Sequence, residues 1–457
     1  MEKSKIKEII EMILKDFIPI SMVNNDGFKN FVKSISPVYN LPNQDQIREE
    51  MEKNYRDAKK IIQKKLNDVK YVGITIDVWE SRREIGYITV SAHFIQGDKL
   101  YSYVLATRER SWIINPENIG NVIKKVIKEW NITSKVVGVM TKKEIEEAVT
   151  NYTSFKHIPC IAYYFDTFIN EHMNNDLLRK CREHIIGIKN TATKNIQSIQ
   201  FELHKIITYI ESNDSYIWRD KVLMVEQLLK LKEPLNIFYE KHPDMLNFRL
   251  SEEDWKQLEK FQSFKSVELF YKNLFDDEKE TFSSMLIIMK NFKQVLDNYK
   301  NSNNNYRHQY STLMDTVNKL YKVMETNTIV QCSNILDPRY KTEGFTTKEN
   351  KDKTRNQFSK SEFLLDAEKE LDEYLKLGNK APSIDPLKFW SDNKTAFPEL
   401  YDLSLKYLCF PKTCILFEII LSKYGRLRNN NRKPLPPSDV DHILFLNSYE
   451  LMNDPMF

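Results

Sequence analysis

The chain has 457 residues, with 68 Lys and Arg against 64 Asp and Glu, so its formal net charge is only +4. This balance excludes a uniformly basic nucleic-acid-coating protein, and any nucleic-acid surface must be local. Hydrophobic residues at 41% and aromatic residues at 12% exclude a disordered chain, while the lack of long apolar runs excludes a membrane partner.

Glycine and cysteine usage narrows the class further. The chain has 10 glycines and neither a GxGxxG nor a GxxxxGKS/T pattern, so we expect no Gly-rich nucleotide loop and no small-molecule substrate or cofactor. Its 5 cysteines are scattered and form no CxxC pair. That usage is typical of a reducing compartment and predicts no structural zinc finger.

Residues 1–69 are predicted to be helical, because apolar residues recur at helical spacing in KIKEIIEMIL and again in EEMEKNYRDAKKIIQKKL. The period then changes to two. Runs of β-branched and aromatic residues at 71–77, 85–95 and 100–107 predict three consecutive antiparallel strands, with a turn at 96–99 between the last two.

A helix beginning at Pro116, a strand at 135–140, a helix from about 142 and a short strand at 158–163 follow. The predicted order is therefore β-β-β-α-β-α-β, and residues 70–165 form the first part of an α/β core. The period is helical from 166 to 380, which predicts an all-α insertion with flexible loops near 298–309 and 346–362. Residues 381–457 form the C-terminal region.

Asp77 ends the first predicted strand. A sheet of this order with an acidic residue at that place resembles the start of a ribonuclease H-like fold, whose carboxylates at adjacent strand ends hold divalent metals. Two-metal phosphoryl transfer needs oxygen ligands from several segments. Asp77 therefore gains meaning only if partners for it exist elsewhere in the chain.

Further segments occur in this order: FKNFVKSISPVYNLPNQDQI, ITIDVWESRREIGYITVSAHFI, PENIGNVIKKVIKEW, LDPRYK, DPLKFW, FPELYDLSLKYLCFPKTCILFEIILSKYG and DVDHILFLN. Together they resemble the transposases of the hAT family, especially the branch associated with BED zinc fingers. The BED finger itself is absent from the sequence. The resemblance implies a ribonuclease H-like mixed sheet interrupted by a large helical insertion and followed by a C-terminal dimerisation region.

The resemblance also implies an acidic catalytic triad. Asp77 matches its first member and Glu418, in FEIILS, matches its third, whereas Lys142, in GVMTKKEIEEAV, stands where the second Asp is expected. An ammonium in place of a carboxylate should abolish Mg²⁺ affinity. Glu144 lies close by in the sequence as a candidate substitute.

Other positions depart from the family in the same direction. Cys160 is present but Tyr163 replaces the His of the family's CxxH pattern, and Ile419 replaces an Arg beside Glu418. Trp218 matches a Trp that the family associates with a flipped base, although its flanking Arg and Ser are changed. Trp218 is the candidate nucleic-acid-binding residue that the resemblance provides.

The C-terminal region carries a dense apolar set, and the resemblance implies that this region dimerises. Part of the set must cover the sheet, and the rest could form a dimer surface. The predicted dimerisation residues are Leu400, Leu403, Tyr407, Leu408, Leu444 and Phe445. We therefore expect a homodimer or a higher homo-oligomer.

Our leading hypothesis is a nuclear, catalytically inactive, domesticated or decaying hAT transposase-like protein that acts through dimerisation, without cofactors. Residual DNA binding or transcriptional regulation would need a local basic surface, for which 59–65 and 426–433 are candidates. The alternative is an active transposase that cuts and joins DNA. Asp77, Glu418 and a substitute such as Glu144 would then hold Mg²⁺ or Mn²⁺.

Overall fold

The structure is a computed structural model. It describes residues 2–80, 85–110, 115–163, 175–191, 193–203, 208, 218–243, 249–260, 281–302, 307–360, 365–414 and 436–453. The chain divides into two compact units. The first comprises Met1–Cys160, Glu278–Ile287 and Met324–Phe457, and the second comprises Ile161–Asp277 and Ile288–Val323.

The first unit contains a five-stranded mixed sheet in the order β3-β2-β1-β4-β5. Its strands are β1 (Val72–Glu80), β2 (Gly86–Gln96), β3 (Lys99–Arg110), β4 (Val136–Thr141) and β5 (His157–Pro159). Strands β1, β2 and β3 pair antiparallel, whereas β4 runs parallel to both β1 and β5. The three predicted antiparallel strands are thereby confirmed.

Helices precede and connect these strands, as the spacing of their apolar residues predicts. They are α1 (Glu2–Asp16), α2 (Asp26–Ile35), α3 (Gln44–Asp68), α4 (Pro116–Glu129) and α5 (Glu146–Thr150). Helix α3 begins with a capping box in which Asn43 and Gln46 exchange side-chain and backbone hydrogen bonds. Its buried stripe, which includes Ile62 and Leu66, joins the core of the sheet.

The last two predicted elements differ from expectation only in extent. Strand β5 ends at Pro159, and helical backbone begins at Ile161. Proline lacks the N–H that would continue a ladder of hydrogen bonds, so the strand stops short of the predicted 158–163. The order β-β-β-α-β-α-β is confirmed.

The described part of the second unit is helical. It contains α6 (Asn175–Thr191), α7 (Thr193–Glu202), α8 (Trp218–Lys241) and α9 (Glu252–Lys260), with most of α10 (Met285–Ser302) and α11 (Arg307–Thr326). Helices α10 and α11 extend into both ends of the loop predicted at 298–309, so those ends are helical instead. Within the described ranges, no helix combines the length and apolarity needed to cross a bilayer.

The remaining helices of the first unit are α12 (Thr328–Ile335), α13 (Lys348–Lys360), α14 (Leu365–Lys376), α15 (Pro386–Asp392), α16 (Pro398–Tyr407) and α17 (Pro437–Asn453). The prediction of a flexible loop at 346–362 is wrong, because α13 occupies most of it. The strongly polar composition of this segment masked two features that favour a helix. Lys353 pairs with Glu349 one turn earlier at 2.6 Å, and Thr354 is fully buried.

Helix α17 covers the outer edge of the sheet. Backbone N–H groups of β3 at Val104 and Thr107 donate to Ser448 Oγ at 3.0 Å and to Asp441 Oδ1 at 2.6 Å. The second carboxylate oxygen of Asp441 accepts from Arg108 at 2.8 Å. Side chains of a helix thus satisfy donors that an edge strand otherwise leaves open to other chains.

Candidate active site

Asp77 lies near the carboxyl end of β1, directly opposite Thr89 of β2, and its side chain is buried. The Thr89 hydroxyl accepts a hydrogen bond from Trp79 Nε1 at 3.0 Å and lies 3.1 Å from the Thr107 hydroxyl. Trp79 in turn stacks on Tyr87 at 4.6 Å between ring centroids. A row of hydrogen-bonded polar side chains therefore crosses the three antiparallel strands at the level of Asp77.

Lys142 follows β4 and reaches the same end of the sheet. Strands β1 and β4 are parallel with Thr75 opposite Met140, so extending this register by two residues brings position 142 level with Asp77. The half-buried Lys142 side chain donates from Nζ to the Val78 carbonyl at 2.6 Å. A fixed cation thus lies on the backbone of the residue that follows Asp77.

Glu144, the candidate substitute ligand, lies in a short 3₁₀ turn, Lys143–Ile145, with an exposed side chain. Glu146, two residues later, places its Oε1 3.5 Å from His157 Nδ1, and its side chain is still 43% exposed. His157 Nε2 lies 2.9 Å from the Thr141 hydroxyl. Burial lowers the pKa of His157, and the Glu146 carboxylate partly opposes that shift.

Sequence reasoning missed His157 and Glu146. The parallel register of β4 and β5 places His157 opposite Val139, which brings its ring to Thr141 at the end of β4. The sequence signal for His157 is its place at the start of a short apolar run that leads to Cys160. The Cys160 N–H donates to the Thr141 carbonyl at 2.9 Å. Cys160 itself is buried and forms no disulfide.

Two further predicted site residues are Glu418 and Trp218. Glu418, like its neighbour Ile419, lies outside the described residues. Trp218 is the first residue of α8, in the second unit.

The described donors around Asp77 do not fit a divalent cation. Mg²⁺ and Mn²⁺ prefer several oxygen ligands, whereas the nearest strand end presents the Lys142 ammonium. Within the described part of the chain, no three His, Cys, Asp or Glu side chains converge as a metal site would require. We therefore derive no metal-dependent step from this geometry.

Two family models match the chain, and one of them covers the end of the sheet at which Asp77 and Lys142 lie. The ZBED1 RNase-like domain matches residues 75–157, which run from within β1 to the first residue of β5 and include Asp77 and Lys142. The hAT family C-terminal dimerisation region matches residues 370–449. Over these two regions the chain is similar to hAT transposase-derived proteins.

Curated relatives agree with this assignment. The zinc finger BED domain-containing protein DAYSLEEPER of Arabidopsis thaliana is 27% identical over 29% of this chain and 19% of its own length. A Talaromyces stipitatus protein named "Putative transcriptional regulator tpeD" is 21% identical over 97% of this chain and 61% of its own length. Human zinc finger BED domain-containing protein 4 is 22% identical over 50% of this chain and 21% of its own length. The chain thus spans about a fifth to about three fifths of these relatives.

The hAT dimerisation region contains the six residues predicted to form the dimer surface, and all of them are buried within the single chain. They are Leu400, Leu403, Tyr407, Leu408, Leu444 and Phe445. Phe445, for example, packs on Tyr55 at 4.4 Å and on Trp130 at 6.1 Å between ring centroids. A dimer that used these side chains would first have to expose them, so their role in dimerisation stays a prediction.

Proposed function

We propose that this hAT relative is a catalytically inactive, transposase-derived protein that acts in the nucleus through self-association and residual DNA binding. The observation that carries the proposal is the hydrogen bond from the Lys142 ammonium to the Val78 carbonyl at the end of β1. That cation lies level with Asp77, where the family resemblance places the second metal-binding carboxylate.

The physical argument is electrostatic. A divalent ion near Asp77 would share a partly buried strand end with a second positive charge, and like charges repel strongly where water is partly excluded. Losing a carboxylate also removes oxygen ligands that Mg²⁺ needs for its coordination shell. Both effects weaken metal binding, and without metal the phosphoryl chemistry of a transposase has no activated water.

The strand order supports the finer fold assignment. Three antiparallel strands followed by two parallel ones, in the order β3-β2-β1-β4-β5, are what a ribonuclease H-like sheet requires. We propose that topology for the first unit, with the helical second unit as the insertion of the family. Asp77 then occupies the place of the first catalytic carboxylate.

The match to an hAT dimerisation region supports self-association. One relative is named as a transcriptional regulator, and others are named for BED zinc fingers. We therefore propose gene regulation through a homodimer or larger homo-oligomer as the surviving role. Sedimentation velocity at micromolar concentration is expected to give a species heavier than the 54.4 kDa chain. A monomer at all concentrations would contradict this part.

The inactivity proposal can be tested by calorimetric titration of Mn²⁺ into the whole chain, into Lys142→Asp and into Lys142→Asp/Asp77→Asn. We expect no measurable heat of binding for the natural sequence, binding for Lys142→Asp, and loss of that binding when Asp77 is also changed. Lys142→Met is the matched control, because it removes the cation without adding a ligand.

A second assay, nicking of supercoiled DNA in the presence of Mn²⁺, can contradict the inactivity proposal directly. The rival reading, an active transposase with Glu144 as a ligand, predicts nicking by the natural sequence and its loss in both Asp77→Asn and Glu144→Gln. That pattern would overturn the inactivity proposal. The exposed position of Glu144 gives the rival no support in the present arrangement.

A further inference from the structure

Helix α3 carries cations along its length, and most of them are neutralised in a regular way. Each pairs with a carboxylate three or four residues before it: Arg48 with Asp45 at 3.7 Å, Lys53 with Glu50 at 2.7 Å, Arg56 with Glu52 at 3.9 Å and Lys60 with Asp57 at 3.3 Å. Such pairs are what a solvated helix face uses to balance its charge.

Lys59 interrupts this pattern, because its Nζ lies 5.2 Å from the centroid of the Trp130 ring, and the pattern stops in the last turn of α3. Lys64 is exposed and Lys65 half-buried, and within the described ranges neither forms an ion pair with a carboxylate. Lys65 instead donates from Nζ to the Tyr103 hydroxyl at 2.9 Å, and it lies 4.1 Å from the centroid of the Tyr101 ring. The end of the helix is thus positively charged and held against β3.

A second cation reaches the same ring from a different element. Lys99, at the start of β3, places its Nζ 5.7 Å from the centroid of Tyr101. Asp68 and Asp98 are the acidic residues nearest in sequence, and both are exposed without an ion pair to Lys65 or Lys99 among the described residues. Two ammonium groups therefore converge on one tyrosine without a neutralising carboxylate.

The electrostatic cost of this arrangement is visible at Lys65. Burial lowers the pKa of Lys65, and the positive charge of Lys99 lowers it further. A helix C-terminus favours a nearby cation, which accounts for Lys65 by itself. It does not account for Lys99, which belongs to a strand. A bound anion would relieve the repulsion between the two groups.

This basic pair lies away from the candidate active site. Tyr101 pairs with Phe94 of β2, whereas Asp77 pairs with Thr89. The five-residue separation along β2 corresponds to about 17 Å at roughly 3.3 Å per residue. The two sites therefore occupy opposite ends of the sheet, and an anion at one need not approach the other.

We propose that Lys65 and Lys99, which both lie beside the ring of Tyr101, bind the phosphate backbone of duplex DNA. Lysine serves as a point charge for phosphate and needs no planar fork geometry. Lys64 extends the surface with a further exposed cation. The proposal rests on the DNA-binding part of the proposed function and gives that part a location, but it is independent of whether the chain cuts DNA.

The test is fluorescence anisotropy of a labelled duplex with the whole chain, compared with Lys65→Met/Lys99→Met and the matched control Lys53→Met/Lys60→Met. Both variants remove two positive charges, but the control removes only cations that already have carboxylate partners. We expect the first variant to lose about 10- to 100-fold in affinity at roughly 0.1 M salt, with a log–log salt slope shallower by about 1.8. We expect the control to change affinity by less than about threefold.

Three further results decide the assignment. Lys65→Arg/Lys99→Arg should keep most of the affinity, because the charges remain. Equal losses in the two Met variants, or no duplex binding by the natural chain at low salt, would overturn the proposal. Preferential competition by polyglutamate, dependent on Lys65 and Lys99, would instead assign the surface to an acidic protein. Nicking activity would contradict the inactivity proposal while leaving this one unchanged.

Discussion

Two buried carboxylates in the first unit, Asp337 and Asp77, show how differently one fold can use the same group. The Asp337 oxygens accept from Arg339 Nη2 at 2.7 Å and Nε at 2.9 Å, and from Ser283 Oγ at 2.6 Å. Asp77 lies at a strand end, level with the position from which Lys142 binds the neighbouring carbonyl. The first carboxylate is held in a buried ion pair, whereas the second lies at a strand end where Lys142 brings a positive charge to the next residue's carbonyl.

The largest expected effect comes from breaking the Asp337 cluster. Arg339→Met leaves the buried Asp337 charge without its cation, so we expect a loss of about 3–5 kcal/mol in the free energy of unfolding, measured by urea denaturation. Lys15→Met is the control, because it breaks an exposed pair with Glu11 at 2.7 Å and should cost less than about 1 kcal/mol. Similar losses in both variants would mean that Asp337 holds the chain no more firmly than a surface pair.

An intermediate effect is expected at His93, a buried side chain whose ring nitrogens lie 2.9 Å from the Thr75 hydroxyl and 2.8 Å from that of Ser102. Burial lowers the pKa of His93 to about 3. Because the unfolded chain takes up this proton at an ordinary His pKa near 6.5, stability contributed by the neutral ring is lost as the pH falls from about 6.5 toward 3.

The loss at His93 should reach about 2 kcal/mol by pH 5, at about 1.4 kcal/mol per pH unit. The measurement is urea denaturation at several pH values, comparing the natural chain with His93→Gln, which keeps polar atoms but cannot titrate. The difference between the two chains should shrink as the pH falls. A constant difference from pH 7 to pH 4 would contradict the prediction, because it would mean that His93 is protonated over the same pH range in the folded and the unfolded chain.

The smallest effect on stability is expected at Lys142, although it bears most directly on function. Lys142→Met keeps the length of the side chain and removes one charge-assisted hydrogen bond to Val78, so we expect a loss of about 1–2 kcal/mol. Thermal unfolding followed by circular dichroism would measure it. A gain in stability would mean that the Lys142 ammonium destabilises the folded chain despite its hydrogen bond to Val78.

Sequence patterns predicted the sheet well because its antiparallel strands are long runs rich in β-branched and aromatic residues. β2, for instance, is buried at every position from Gly86 to Ile95, so its length and residue types predicted it better than alternation did. Lys142 was singled out by the family resemblance, and the parallel pairing of β1 and β4 brings it level with Asp77.

Other features depended on tertiary contacts that no local pattern encodes. His157 enters the site through β5, a strand of only 3 residues, and its partner Glu146 comes from the intervening helix. The apolar set from Leu400 to Phe445 was dense enough for an interface, but the single chain buries the residues predicted for it. Density of apolar residues does not distinguish a core from an interface.

The cover that α17 places over β3 has a consequence during translation. Ser448 is 344 residues from Val104, the edge donor that it satisfies. At roughly 5–20 residues per second, the ribosome needs roughly 20–70 s to make the intervening chain. The hairpin of β2 and β3 can form long before its edge is covered. A nascent chain must keep that edge away from its neighbours on the polysome until the last helix emerges, and any product that stops before residue 437 never closes it.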